Sequence, residues 1–510
     1  MKLATAAEMR ELDHRAIEGR GIPGLALMEA AGHAATDAVR ELLPNAGPGP
    51  VIIVAGKGNN GGDGFVVTRL LHDAGVPAEV CLLTTASTLS GDAAVNCDRC
   101  LKLGVTVHQE ATSALLRSRL ATASVIVDAA LGTGLSGQVR GSALAAIEAI
   151  NAASAPVIAV DVPSGLDADT GAILGEAVRA EVTVTFGLSK IGLHQFPGRG
   201  CCGQVRVADI GIPPDVVAEA NLRANLTEAS DAAAMLPPRP TDMHKGVAGR
   251  LLVVAGSAGM TGAAALASLA AMRSGAGLVY LACPESLNDI LEVKCTEILT
   301  RPLPESDARS LSAAAEGPLL DLAGGMDAVV LGPGVSQHPE TAEEMRSLAL
   351  AADVPLVIDA DGLNAFAGRA DDLAARAAPT VMTPHPGEMS RLTGLSTREI
   401  AADRCAAARS LAQVTAAVVM LKGAGTVTAT PDGEVWINPT GNQGLASGGT
   451  GDVLAGMVGA FLAGGSDAPA AAVAGAWYHG LAAEEAACGD GRGMIASDLL
   501  AALPLVFPST

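Results

Sequence analysis

Residues 51–64 read VIIVAGKGNNGGDG. A short run of Val and Ile gives way to a glycine-rich turn, and FVVTRLL follows with helical spacing. A buried strand, a tight turn and a helix is the opening of a βαβ unit, with the turn at the carboxyl end of the strand. Glycines there let backbone N–H groups approach an anion at the helix N-terminus. The loop is neither G-x-G-x-x-G nor a Walker A sequence, so neither fingerprint identifies the ligand.

Similar strands are expected at 78–83, 124–128, 157–161 and 182–186, separated by 15–30 residues of mostly helical character. Residues 5–43 read as two helical stretches punctuated by Pro23, the first opened by a Thr5/Glu8 capping box. The series predicts an α/β fold with a parallel sheet covered on both faces. It lapses at 211–249, where prolines crowd, and this is the best candidate linker. A second α/β series begins at 250–256 and continues at 278–283, 328–334, 355–361, 380–388 and 417–426. Two short strands at 427–430 and 434–438 and three Gly- and Ala-rich helices, roughly 451–464, 469–487 and 496–503, complete it. The expected domains are residues 1–215 and 225–510.

Composition narrows the function. The 510 residues carry a net charge of −21, and both halves are acidic, so no nucleic-acid partner is expected. Only 2% of residues are aromatic, which gives no base-stacking platform. Residues 251–272 are uncharged and long enough to span a bilayer, but their Gly, Ser and Thr centre reads as strand, turn and helix; no membrane association is expected. No secretory signal opens the chain, and the nine scattered cysteines suit a reducing, cytoplasmic setting. Cys97 and Cys100 form a lone CxxC, and like the adjacent Cys201 and Cys202 they read as small buried residues rather than zinc ligands.

In the first half three strand ends carry polar residues: Asn59, Asn60, Gly61, Gly62 and Asp63; then Asp128 with the glycine nest Gly132–Gly137; then Asp161-Val162-Pro163-Ser164. Each alone reads equally well as a turn or a helix cap; together they point to one ligand site. Asn60, Asp128 and Ser164 form a hard-oxygen set with few charges, suited to an alkali or alkaline-earth ion rather than zinc. The NNGGDG loop, the DA-x-LGTG-x-x-G segment and VDVPSGLD, in this order across residues 1–215, resemble NAD(P)H-hydrate epimerases. The resemblance implies a Rossmann-like three-layer domain that inverts the hydrated carbon of damaged NADH and NADPH. It implies that Asn59 to Asp63 and Gly132, Thr133, Gly134, Leu135, Ser136, Gly137 and Gln138 line the dinucleotide site. It makes Asp161 the substrate-binding acid/base and gives potassium to Asn60, Asp128 and Ser164.

In the second half the strongest feature is residues 442–456, NQGLASGGTGDVLAG: a glycine run opens an apolar helix with Asp452 in its first turn. Free N–H groups and the helix dipole suit a transferring phosphoryl group, and Asp452 can take a proton from an attacking hydroxyl. Lys422-Gly423-Ala424-Gly425-Thr426 ends another strand, where it reads as a glycine hairpin or as a grip on nucleotide phosphates. His385, between two prolines at a strand end, is expected to be exposed and fixed.

GS-x-GM-x-GAA-x-LA at 256–267, LGPG at 331–334, DADGLN at 359–364, TPHPGE at 383–388, KG-x-GT at 422–426 and N-x-G-x-x-x-x-GGTGD at 442–452 are similar to ADP-dependent NAD(P)H-hydrate dehydratases of the ribokinase-like α/β fold. Sugar kinases of that fold commonly carry Gly-Ala-Gly-Asp where this chain has Gly449-Thr450-Gly451-Asp452. The resemblance implies that Lys422 to Thr426, with Ser447, Gly448, Gly449, Thr450 and Gly451, bind ADP as co-substrate with Mg²⁺. It implies that Ala263, Gly334, His385 and Asp452 contact the hydrated dinucleotide. The whole chain is then expected to equilibrate R- and S-hydrates and dehydrate the S form, converting ADP to AMP and phosphate. The alternatives are a ribokinase-type small-molecule kinase with a regulatory dinucleotide-binding first half, and a non-enzymatic sensing or partner-binding first half. The sequence leaves a homo-oligomer open.

Overall fold

The computed structural model describes residues 1–487 and 489–508. The chain forms two compact units, Lys2–Ala224 and, with Met1, the residues from Asn225 onward. The first unit is built on parallel strands β1 (Val51–Ala55), β2 (Ala78–Leu82), β3 (Val107–His108), β4 (Val125–Ala129), β5 (Val157–Val160), β6 (Val182–Phe186) and β7 (Gln204–Ala208), in the order β3-β2-β1-β4-β5-β6-β7. Period-two alternation sends Val51, Ile53 and Ala55 to one face and Ile52 and Val54 to the other, so β1 is apolar throughout. Helices Gly24–Leu42 and Asn59–Asp73 cover the first face. Helices Ser113–Leu120 and Gly141–Asn151 cover the second with Leu116, Leu120, Ile147 and Ile150. This gives the three layers expected from the sequence.

The order reverses beside β1, so the loops after β1 and β4 open side by side at the carboxyl ends of neighbouring strands, where α/β sheets bind ligands. The Thr5/Glu8 capping box is formed: Glu8 N–H donates to Thr5 Oγ1 at 3.1 Å, and Thr5 N–H donates to Glu8 Oε2 at 2.7 Å.

The second unit carries β8 (Arg250–Val254), β9 (Leu278–Pro284), β10 (Leu299–Leu303), β11 (Ala328–Leu331), β12 (Leu356–Ile358), β13 (Thr380–Met382), β14 (Val418–Leu421), β15 (Val427–Ala429) and β16 (Val435–Ile437). Their order is β10-β9-β8-β11-β12-β13-β14-β15-β16, parallel as far as β14 and antiparallel in the last two pairs. Helices Thr261–Arg273, Thr450–Ala463 and Ala468–Ala486 pack on it through Ala267, Val453, Met457, Phe461 and Ala472. The apolar stretch 251–272 resolves into β8, a turn and the helix Thr261–Arg273; among the described residues no helix is long and apolar enough to cross a membrane. The proline-rich 211–249 segment is more ordered than a bare linker: it holds helices Pro214–Glu219 and Ala229–Ala234 and the strand Ala224–Leu226. Eight described cysteines are free and buried; Cys488 lies outside the described residues. Cys97 and Cys100 pack in the core, with the Cys100 thiol against the Phe65 carbonyl at 3.1 Å.

Candidate functional site

In the first unit a cavity of about 870 Å³ opens over the carboxyl ends of β1, β4 and β5. Asn59, Asn60, Asp63, Gly132, Thr133, Gly134, Leu135, Ser136 and Asp161 all line it. Gly61 and Gly62 lie buried beneath the loop instead. A Cβ on Gly61 would sit 2.1 Å from the Gly56 carbonyl oxygen, so this glycine is required by the close approach of two backbone segments. Gly137 and Gln138 are exposed and outside the lining.

Asp161 follows β5 with a φ of +64°, a left-handed conformation unusual for a non-glycine residue. Its N–H donates to the Val184 carbonyl at 2.8 Å, which fixes the turn. Its Oδ1 accepts from Lys190 Nζ at 2.5 Å, Thr185 Oγ1 at 3.2 Å and the Phe186 N–H at 3.3 Å. Lys190 is 1% exposed and also donates to Thr185 Oγ1 and the Phe186 carbonyl. Three further carboxyls, Asp13, Asp63 and Asp92, line the same cavity. Burial, with the charges of Asp161 and Asp13, pushes the Asp63 carboxyl well up; burial and Asp161, partly offset by Lys190, push Asp13 up to about 6.

Below the floor, Asp128 is fully buried. Ser164 donates to it twice, from N–H at 2.8 Å and from Oγ at 2.6 Å. Burial raises Asp128 to about 6 against those hydrogen bonds. Ser164 Oγ also accepts from the Leu131 N–H at 2.8 Å, and Asn60 Nδ2 donates to the Leu131 carbonyl at 3.0 Å. Asn60, Asp128 and Ser164 therefore meet around Leu131, and Asn60 Oδ1 is buried with no hydrogen-bond partner. A buried neutral oxygen without a donor, beside a carboxylate and a hydroxyl, fits an oxygen-liganded cation. Among the described residues no group of three or more His, Cys, Asp or Glu forms a transition-metal cluster.

In the second unit the loops after β12, β13 and β14 converge on the first turn of Thr450–Ala463. Lys422 Nζ contacts Asp359 Oδ1 at 2.6 Å and lies 4.0 Å from Glu388 Oε2. Thr383 Oγ1 donates to the same Asp359 oxygen at 2.6 Å. A Cβ on Gly451 would lie 3.4 Å from Lys422 Nζ, so the ammonium sits beside the glycine run. Burial first, then the charge of Asp359, raises Asp452 to about 7, with Lys422 opposing. Thr450 Oγ1 donates to the Leu445 and Ser447 carbonyls, each at 3.0 Å, while Gly448 is exposed. Gly449 has φ +93°, and a Cβ there would meet Leu266 Cδ1 at 2.7 Å.

His385 caps helix Pro386–Thr393: its Nδ1 accepts from the Gly387 and Glu388 N–H groups, which leaves the ring proton on Nε2. Burial, Lys422 and Arg391 lower its pKa, and its side chain is half exposed. Ala263 and Gly334 come together, since a Cβ on Gly334 would lie 3.0 Å from the Ala263 Cβ. Gly423 and Ala424 are exposed; Thr426 Oγ1 turns back to the Gly423 carbonyl at 3.0 Å, and Gly425 completes the turn at φ +65°.

Three groups at these sites, and one pairing, escaped the sequence reading. Lys190 is a lone lysine in the largely uncharged stretch LSKIGL, Leu188–Leu193, and Asp13 sits one turn beyond Met9 on the buried side of its helix; both were visible as charged residues in apolar surroundings. Asp359 as the partner of Lys422 could not be read from residues 63 apart in the chain. His479, whose Nε2 lies 2.9 Å from the Thr450 carbonyl, is hidden in an Ala-rich helix.

A family described as NAD(P)H-hydrate dehydratase matches residues 251–505, and one described as YjeF-related protein N-terminus matches residues 24–192. A bifunctional NAD(P)H-hydrate repair enzyme from Moorella thermoacetica is 44% identical over 516 residues, covering 99% of this chain and 96% of the relative. A repair enzyme of the same description from Escherichia coli is 36% identical, covering 98% of this chain and 92% of its own. Among solved structures, an ADP/ATP-dependent NAD(P)H-hydrate dehydratase from Bacillus subtilis, co-crystallised with ATP/Mg²⁺, is 32% identical over 55% of this chain and 97% of its own, with a TM-score of 0.47.

Proposed function

Because the chain belongs to the bifunctional NAD(P)H-hydrate repair enzymes, we propose a division of labour in which the first unit interconverts the R and S hydrates and the second dehydrates the S form at the expense of ADP. A stereospecific dehydratase alone would strand half of the damaged cofactor, and the second activity on the same chain removes that loss.

In the epimerase site the nicotinamide hydrate enters the cavity over β1, β4 and β5. Asn59, Asn60 and the backbone of Gly132 to Ser136, which line the cavity, supply backbone and amide groups to the dinucleotide, which suits an acidic protein binding an anion. Asp161 is the acid/base, with Lys190 fixing one of its oxygens. Asn60, Asp128 and Ser164 would hold potassium, and the unpartnered Asn60 Oδ1 supports that assignment. A bound potassium ion would supply a fixed positive charge under the loops that carry the dinucleotide groups.

In the dehydratase site the nucleotide phosphates lie at the N-terminus of Thr450–Ala463, over Ser447 to Gly451 and the Lys422–Thr426 loop. A Mg²⁺ ion bound with the nucleotide would neutralise phosphate charge there. Ala263, Gly334 and His385 contact the hydrated ring. Hydroxide is a poor leaving group. Asp452 takes the proton of the ring hydroxyl as its oxygen bonds to the β-phosphorus of ADP; AMP departs with the bonding pair of the broken P–O bond. The ring nitrogen lone pair then expels phosphate, and loss of a proton from the adjacent carbon restores the dihydronicotinamide. A carboxyl near 7 is half ionised at neutral pH, the range in which a general base works best.

The observation that carries this reading is the juxtaposition of Lys422 with Gly451 and Asp452 at a free helix N-terminus, in a chain that matches a repair enzyme over 99% of its length. The buried, reduced cysteines suit a cytoplasmic location. Product analysis tests the proposal: S-hydrate, ADP and Mg²⁺ should yield NADH, AMP and phosphate in equal amounts. A stable phosphorylated product without NADH would make the second unit a kinase instead.

A further inference from the structure

We propose that Asp13 is a second catalytic residue of the epimerase cavity, exchanging a proton with the substrate's ring nitrogen while Asp161 exchanges one with its hydroxyl. This rests on the epimerase reading above.

The chemistry asks for two such groups. The hydrated carbon is bonded to both the ring nitrogen and a hydroxyl. Its configuration is lost when the C–N bond opens to an aldehyde and the adjacent C–C bond turns. In the opening step the hydroxyl proton passes to Asp161, the O–H pair becomes the C=O bond, and the C–N pair moves to nitrogen, which takes a proton from Asp13. Reclosure on the other face of the carbonyl reverses each transfer. The enzyme returns to its starting state and no further reactant is consumed.

The geometry supplies the second group at Asp13. The residue belongs to helix Ala6–His14, whose start is fixed by the Thr5/Glu8 box and whose Ala6, Met9 and Leu12 are buried. Met9 and Asp13, one turn apart, both line the cavity that contains Asp161 and Lys190. Asp161 Oδ1 accepts three hydrogen bonds from the protein, while its Oδ2 accepts none among the described residues, which leaves that oxygen for the ligand. The Asp13 carboxyl enters no hydrogen bond or ion pair among the described residues, so it too is available. The groups facing it are Lys190 and Asp161 from the segments after β6 and β5, and Asp63 from helix Asn59–Asp73; Arg10 from its own helix, Lys57 and Asp92 complete the charged lining. Asp63 is the less suitable donor: it is 7% exposed, and burial pushes its carboxyl well up. Asp13, raised to about 6, can both give and recover a proton.

The test uses the full-length protein and pure R-hydrate, with ADP and Mg²⁺ in excess so that NADH absorbance reports epimerisation, and pure S-hydrate as the control. Asp13→Asn should lower kcat for the R form by about 10²- to 10⁴-fold, with KM within about threefold and S-form recovery unchanged. For the pH series epimerisation is read without ADP, as the R-to-S ratio in stopped samples corrected for the spontaneous rate: wild-type activity should fall as pH rises through about 6, and the residual activity of the variant should lack that limb. Asp13→Glu should recover part of the rate, which a collapsed helix would not allow. Activity in Asp13→Asn within threefold of wild type overturns the proposal, as does a loss confined to KM or a loss that glutamate does not relieve. If the wild-type chain leaves the R form untouched while recovering the S form, the epimerase reading itself fails.

Discussion

Asp359 is the hinge of the dehydratase electrostatics, and replacing it by asparagine should move activity and stability in separable ways. Its carboxylate lies 2.6 Å from Lys422 Nζ and is 1% exposed, and after burial it is the largest influence raising Asp452 to about 7. At an effective dielectric of ~20, two unit charges ~6 Å apart interact by ~3 kcal/mol, or ~2 pH units, which sets the scale for two carboxylates that share one site. Water entering the open site halves that, so the Asp359→Asn variant should show Asp452 titrating ~1 unit lower. The sign follows from the role. Asp452 must be ionised to accept the hydroxyl proton, so wild-type dehydration rises as pH increases through about 7, and the variant should reach half of its own plateau near pH 6. The assay is NADH recovery from pure S-hydrate at saturating ADP, from pH 5 to 9, each enzyme normalised to its own maximum. Lys422 meanwhile loses its close partner, and the variant should unfold at lower denaturant by ~3 kcal/mol. A limb that stays near 7 or moves upward in the variant would refute the assignment of Asp452 as base and Asp359 as the group that tunes it.

Asp452→Asn should abolish dehydration yet stabilise the fold at pH 8 by ~1–3 kcal/mol, because a carboxyl raised from 3.8 to about 7 contributes stability below its unfolded value that is lost as pH rises through the folded one. The gain, read by urea unfolding, should vanish below pH ~4. Lys190→Met should cost ~3–5 kcal/mol in the same measurement, since it leaves the carboxylate of Asp161 without its cation beside two other carboxyls. Gly449→Ala places a Cβ 2.7 Å from Leu266 at a left-handed φ; it should destabilise by ~1–3 kcal/mol and weaken ADP binding measured calorimetrically.

The central strands were legible because burial on both faces makes them runs rich in Val and Ile rather than alternating ones: VIIVA, VIVDA and VTVTF are each fully buried. Of the sixteen numbered strands those that escaped are β3, β7 and β10, each at a sheet edge; the two- and three-residue strands Lys2–Ala4, Ser189–Lys190 and Ala224–Leu226, too short to show a pattern, escaped as well. Half-exposed edge residues leave no apolar run, and β10 even contains Pro302, which an edge tolerates. The sites divide the same way. Glycine loops at strand ends are local patterns, so the residues from Asn59 to Asp63 and from Ser447 to Asp452 stood out. Lys190 on Asp161 and Asp359 on Lys422 are pairings across 29 and 63 residues, which a single sequence does not encode locally. His385 was expected to be exposed and fixed, and it is half exposed; the capping bonds to its Nδ1 are the physical cause of the fixing.

The central claim is that one chain carries both halves of the repair. It is tested most directly by giving the purified protein R-hydrate alone with ADP, Mg²⁺ and potassium and following NADH absorbance. Complete recovery, much faster than spontaneous epimerisation and abolished by either Asp161→Asn or Asp452→Asn, is the predicted result. Recovery no faster than the spontaneous rate, with S-hydrate still fully repaired, would contradict it.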